Sequence, residues 1–355
     1  MEWETLLAEI QNPPTVNSPV LESAFHRTHP EDFDVEEIPA YLPDGTGEHI
    51  YLWVEKRDVA AGDLISHLSR TLKVNSRDIG VAGQKDRRAV TRQFVSVPKS
   101  CLPLIAEVDG KGVKVLSISA HNNKLRTGHL EGNHFRIHLR PTDEHTFTDD
   151  DAANVFVRLQ QLETLGFPNY FGTQRFGHDG NSIKDGIGLL TGQLSAKRWS
   201  HHKRRFMTKM VSSAIQSAVF NLVLAERLGR AEPTAFVTGD VVCRKDGIRP
   251  HLLAETAETD ISQLVAMGPM PGPKMVKATD EALALETAAL VRLGLTAEQF
   301  EDSGKLTPGT RRKMFEYPHN VSATLSEDAA IIVEFSLSSG SFATVLLAEV
   351  VSVLR

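Results

Sequence analysis

Over the first 140 residues, polar and apolar positions partly alternate in short runs. "FDVEEIPA" (33–40), "HIYLWVEKR" (49–57), "RQFVSVP" (92–98), "VKVLSIS" (113–119) and "HFRIHLR" (134–140) predict five strands. "DVAAGDLISHLSRTLKV" (58–74) sets Leu64, Ile65, Leu68 and Leu72 at helical spacing. A second helix is predicted over "DAANVFVRLQQLETLG" (151–166), with Asp residues before it and Gly166 after it. This region reads as α+β, without the regular strand–helix alternation of a doubly wound sheet.

Residues from about 168 to 315 have another character. "MVSSAIQSAVFNLVLAERLG" (210–229) carries an apolar stripe of Val211, Ile215, Val219 and Leu222. "DEALALETAALVRLG" (280–294) and "TAEQFEDSG" (296–304) are further helix candidates. "AFVTGDVVCR" (235–244) is the main strand candidate, and "MGPMPGPKMV" (267–276) reads as a Pro/Gly loop. The C-terminus returns to the first style, with an apolar strand, a Ser/Gly turn and a helix in "AAIIVEFSLSSGSFATVLLAEVVSVL" (329–354). A strand–helix unit at the end of a chain must pack somewhere, and the N-terminal sheet is the economical place. The expected organisation is a discontinuous domain of residues 1–166 plus 316–355, interrupted by an inserted, helix-rich domain of residues 167–315.

Composition narrows the class. The chain has 355 residues, is 41% hydrophobic and 24% charged, and can bury a sizeable core without staples. No basic leader and no long apolar run open it, and no stretch approaches the about 18 consecutive apolar residues of a membrane span, so neither a signal peptide nor a transmembrane helix is expected. Two distant cysteines, Cys101 and Cys243, give no disulfide framework and no zinc ribbon, which fits a reducing cytoplasm. The net charge of −6 argues against a uniformly basic nucleic-acid binder. Charge is unevenly spread, however: "PTDEHTFTDDD" (141–151) is acidic, whereas "AKRWSHHKRRFMTK" (196–209) carries six Lys or Arg and no acid. A basic face on an acidic protein still binds phosphate.

The candidate chemistry lies in "VAGQKDRRAVTRQF" (81–94), where Asp86 sits among Lys85, Arg87, Arg88 and Arg92. "DIGVAG" (78–83) before it and "VTRQFVSV" (90–97) after it read as strands, so Asp86 falls on their connection, where a rigid scaffold often carries function. Surrounding cations favour the carboxylate form, which suits a nucleophile and makes a poor general acid. The same cations attract a phosphate backbone.

Five stretches in order, "HPEDFDVEEI" (29–38), "AGQKDRRAVTRQF" (82–94), "EGNHFRIHLR" (131–140), "FPNYFGTQRFG" (167–177) and "SSGSFATVLLAEV" (338–350), resemble the TruD family of tRNA pseudouridine synthases. The resemblance implies a pseudouridine-synthase domain around an antiparallel sheet with a TRUD domain inserted. It implies conversion of uridine 13, in the D arm of tRNA, to pseudouridine, with no cofactor and no metal. Asp86 matches the catalytic aspartate of the "G-x-K-D" motif. Phe33, Asn133 and Phe342 match positions associated with substrate, Phe135 an aromatic position, and Arg27 a basic residue that pairs with the carboxylate. The phenylalanines are expected to stack on an everted base and Asn133 to read its edge. Lys85, Arg87, Arg88, Lys203, Arg204 and Arg205 are expected along the RNA backbone. A monomer acting on tRNA without a protein partner or membrane completes the expectation. The alternatives are the same chemistry on another RNA, a non-catalytic RNA-binding protein of this fold, and a glycosidase-like hydrolase using Glu31 and Asp32.

Overall fold

The structure is a computed structural model and describes residues 3–142, 146–230, 232, 234–255, 260–304 and 306–354. Part of the acidic stretch 141–151 lies outside them. The elements, in chain order, begin with α1 (Trp3–Gln11), β1 (Leu21–Ala24), β2 (Phe33–Pro39), β3 (His49–Arg57), α2 (Ala61–Thr71), β4 (Gly80–Val81), β5 (Val90–Pro98), β6 (Val113–His121), β7 (Leu130–Leu139) and α3 (Asp149–Leu165). They continue with β8 (Phe167–Pro168), α4 (Asn181–Leu190), α5 (His201–Leu228), β9 (Val241–Arg244), β10 (His251–Leu252), β11 (Leu264–Met270), α6 (Asp280–Arg292), α7 (Ala297–Asp302), β12 (Thr310–Lys313), β13 (Phe315–Glu316), β14 (His319–Leu325), β15 (Ile331–Ser338), α8 (Ala343–Ala348) and β16 (Val351–Leu354). The fold class is α+β.

The backbone separates into two compact units. One comprises Met1–Ser18, Phe167–Glu316 and Thr344–Glu349; the other comprises Pro19–Gly166, Tyr317–Ala343 and Val350–Arg355. The N-terminal helix α1 and residues 344–349 therefore group with the middle of the chain, whereas the sequence-based division put them with the ends.

The second unit is built on an eight-stranded sheet of order β14-β15-β7-β2-β5-β3-β6, with β4 added beside β5. On one face, Ile50, Leu52 and Val54 of β3 and Val95 and Val97 of β5 pack against Leu64 and Leu68 of α2. Alternation explains the burial: these side chains share one side of the pleat, and the helix spacing supplies the complementary stripe. A Thr148–Asp151 capping box opens α3.

In the first unit, α5 runs beside a four-stranded sheet of order β10-β9-β11-β12. Three sequence expectations change here and at the C-terminus. Residues 267–270 of the expected Pro/Gly loop belong to β11, which is buried along its whole length. Pro269 is tolerated there opposite Arg311, although it lacks a backbone donor. Helix α5 starts ten residues before the apolar stripe, at His201, because its basic first turns are helix-compatible without any burial. After the short α8 the chain ends in β16, which pairs in parallel with β1. The segment "EVVSVL" (349–354) is too short for the spacing of its apolar residues to separate strand from helix.

Candidate active site

Asp86 lies on the connection between β4 and β5. Strand β5 uses one edge for β3 along its whole length. Its other edge is shared: β2 pairs with Val90–Arg92, and β4 pairs with Val95 and Ser96. The sheet therefore splits at Gln93 and Phe94. Glu37, at the end of β2, fills the gap by accepting the Phe94 N–H at 3.2 Å. The chain between β4 and β5 must leave the sheet at this split, and it carries Lys85 and Asp86. The close packing needs Gly80, where an added Cβ would lie 2.3 Å from the Leu125 carbonyl oxygen.

The Asp86 side chain is 44% exposed, and its Oδ2 lies 2.9 Å from Arg27 Nη2. The Arg27 guanidinium sits 4.0 Å from the centroid of the Phe33 ring. Phe33 meets Phe135 edge-on at 6.1 Å, and Phe135 stacks on Phe335 at 5.4 Å. A column of rings on β2, β7 and β15 thus carries the cation that holds the carboxylate. Such a cation–ring contact contributes about 1–2 kcal/mol when shielded from water.

The main chain of Asp86 is held from below. Lys56 is fully buried, and its Nζ donates to the Asp86 carbonyl oxygen at 2.5 Å. Burial pushes the Lys56 ammonium down to about 8, against the pull of Asp86 and Asp58. Next door, Lys85 is 8% exposed; its Nζ lies 3.2 Å from Glu37 Oε2 and donates to Asn133 Oδ1. Burial drives the Glu37 carboxyl up and the Lys85 ammonium down, partly offset by their mutual attraction.

The expected site residues fall into three groups. Asp86, Arg27, Lys85 and Asn133 come together as described. Phe33 and Phe135 are 1% and 6% exposed and pack in the core beneath Arg27, because residues 33, 35 and 135 point to the same buried face. Phe342 is half-buried, just after β15. Lys85 departs from the expectation of a phosphate contact, since its ammonium is enclosed between Glu37 and Asn133. Arg87 and Arg88 are exposed, Arg87 at 3.7 Å from Asp58. Lys203 and Arg205 are exposed on the first turns of α5, with Arg204 half-buried. Arg92 faces away from this network, bonded to Asp34 at 2.8 Å and Glu55 at 2.9 Å.

Lys56 and Glu37 were not singled out from sequence. Glu37 left a signal: in "FDVEE" it shares the inward phase of Phe33 and Val35. The hydrolase alternative has no support in the geometry. Glu31 pairs with Arg57, while Asp32 is buried in a 2.7 Å pair with Arg140. Among the described residues, no three His, Cys, Asp or Glu side chains gather as a metal site. The "PNYFGTQRFG" stretch packs within its own unit: Phe171 N donates to Asn221 Oδ1 at 2.9 Å, and Arg312 Nε donates to the Asn169 carbonyl at 3.0 Å.

The model of the family tRNA pseudouridine synthase D (TruD) matches residues 24–196 and 201–350. The chain belongs to the TruD family. It is thus an enzyme of the tRNA pseudouridine synthase class. Curated relatives of that designation include one from Anaeromyxobacter sp. (strain Fw109-5), 36% identical over 327 residues and covering 91% of both chains. Another, from Thermus thermophilus, is 34% identical over 331 residues, covering 92% of this chain and 88% of the relative. The crystal structure of a protein from Methanosarcina mazei designated tRNA pseudouridine synthase D shares the fold, with a TM-score of 0.74 at 23% identity over 100% of this chain and 99% of that one.

Proposed function

We propose that this TruD-family enzyme isomerises the uridine at position 13, in the D arm of tRNA, with Asp86 as the nucleophile. One observation carries the reading: an exposed carboxylate whose side chain is held by Arg27 and whose backbone is held by the buried Lys56. Exposure gives it access to a sugar, and the two cations fix its direction. Holding a reactive group in line with its target can supply about 7–11 kcal/mol of a barrier.

The reaction breaks the bond from uracil N1 to ribose C1′ and makes one from C5 to C1′. Asp86 either adds to C1′ as the N1–C1′ bond breaks, its ester bond breaking again when C5 attacks C1′, or takes the C2′ proton as the base departs to leave a glycal and returns that proton when C5 adds at C1′. The detached ring turns, C5 bonds to C1′, C5 loses its proton and N1 gains one. The product has the composition of the substrate.

The base must leave the stack, which costs a few kcal/mol. Phe342, half-buried beside the end of β15, is assigned to stack on it, a contact worth about 1–3 kcal/mol. Phe33 and Phe135 act beneath, by carrying Arg27. Asn133 reads the uracil edge. Arg87, Arg88, Lys203 and Arg205 meet phosphates. The unit with the eight-stranded sheet is read as the pseudouridine-synthase domain and residues 167–315 as the TRUD insertion. The enzyme is taken to act as a monomer in the cytoplasm.

Chemical mapping of pseudouridine in tRNA from cells lacking the protein tests the substrate. The expected result is loss of the modification at position 13 alone. An unchanged position 13, with loss elsewhere, overturns the assignment.

A further inference from the structure

The face of β2 and β7 that carries Phe33, Val35, Phe135 and Ile137 is apolar except for one row, in which Glu37 stands directly opposite Asn133. Lys85 closes that row. Its ammonium is buried, 3.2 Å from Glu37 Oε2, and donates to Asn133 Oδ1. An ammonium has three donors and no acceptor, so it fixes which end of the amide faces it. The oxygen must point to Lys85, and the NH2 group must point away. The Asn133 side chain is half-exposed, and among the described residues its Nδ2 makes no hydrogen bond.

We propose that Lys85, anchored by Glu37, locks the Asn133 amide with its NH2 outward and thereby sets the preference for uracil over cytosine. The inference rests on the reading above that Asn133 meets the base. An outward NH2 complements a carbonyl oxygen such as uracil O4 and opposes the amino group that cytosine carries at the same place. A freely turning amide would serve either base, because Asn offers a donor at one end and an acceptor at the other. Lys85 and Glu37 are positioning residues, with no contact to substrate required of them. The arrangement also explains why a lysine next to the nucleophile is withdrawn from the surface.

The test uses the full-length protein and two tRNA transcripts, with uridine or cytidine at position 13 and an opposing nucleotide that pairs with neither. Binding of both is measured by competition, and conversion of the uridine transcript is followed in parallel. The wild type is expected to convert the uridine transcript and to bind it about tenfold more tightly, the scale of one mismatched hydrogen bond. Lys85→Met is expected to bring the ratio close to one. Lys85→Arg should preserve it. Asn133→Asp, which presents an outward acceptor, should turn the preference toward cytidine.

If Lys85→Met keeps the tenfold ratio while Asn133→Ala removes it, Asn133 reads the base unaided and the lock is refuted. If Asn133→Ala also keeps the ratio, the base-reading assignment itself fails, and the inference with it. If the wild type leaves the uridine transcript unconverted, the proposed function fails instead. Should Lys85→Met not fold by circular dichroism, Asn133→Asp decides: an unchanged preference for uridine overturns the lock.

Discussion

Replacing Lys56 by methionine separates stability from catalysis. The ammonium is fully buried on the sheet face, and its pKa falls from the ordinary 10.5 to about 8. That difference corresponds to a penalty of about 3 kcal/mol for holding the charge in the folded protein at neutral pH. Against it stands one charge-assisted hydrogen bond to the Asp86 carbonyl, worth about 1.5–3 kcal/mol. Methionine keeps the length of the side chain and removes both contributions, so Lys56→Met is expected to lie within about 2 kcal/mol of wild type in urea unfolding. The sign of the pH dependence follows. Between pH 8 and 10.5 the unfolded chain holds more of this proton than the folded one. Wild type should therefore gain stability relative to the variant as pH rises through that window. Catalysis should respond differently. Without its tether the Asp86 main chain can shift, and a displacement of about 1 Å lowers a rate by about 100-fold. Single-turnover conversion of tRNA should fall by that order, with tRNA affinity unchanged. A variant that converts tRNA at the wild-type rate would refute the positioning argument. A stability loss above about 4 kcal/mol, beyond the removal of one such bond, would refute the energetic one.

Arg27→Ala should lower the single-turnover rate by about 10–100-fold and stability by only about 1–2 kcal/mol, because the pair it breaks is partly solvated; equal activity would show that the pair is incidental. Gly132→Ala should destabilise by about 2 kcal/mol or more, since its Cβ would lie 2.1 Å from the Leu337 carbonyl oxygen on the neighbouring strand; an unchanged melting temperature contradicts this. Burial raises the Asp32 carboxyl, but the Arg140 and His29 contacts outweigh it and hold the group below its ordinary 3.8. Its contribution is present above that value and lost as pH falls through the lower folded value. Asp32→Asn should therefore flatten the acid limb of the stability profile without abolishing pseudouridine formation; full loss of product with an intact fold would reopen a catalytic role for this acid.

The legible parts of the fold were those with a period. Strands β2, β3, β5 and β7 and helix α2 follow alternation or helical spacing in the sequence, and Asp86 falls on a β4–β5 connection as its flanks predict. Strand β11 was missed because uniform burial erases the period and its Pro and Gly residues imitate a loop, and β16 because four residues are too few to show one. Much of the site was illegible for another reason. The role of Lys56 depends on a loop 30 residues away settling over its end of β3, and that of Glu37 depends on where β2 and β4 divide one edge of β5. These are consequences of register between distant segments. Lys85 was misread because proximity to Arg87 and Arg88 in sequence says nothing about which side of the loop each faces. The two arginines point outward, while Lys85 meets a carboxylate already inside.

Whether Asp86 is the nucleophile is decided by Asp86→Asn in single-turnover reactions with tRNA, reading pseudouridine by chemical mapping and binding in the same preparation. No detectable pseudouridine is expected, with tRNA affinity close to that of the wild type. Product at the wild-type rate would contradict it and remove Asp86 from the chemistry.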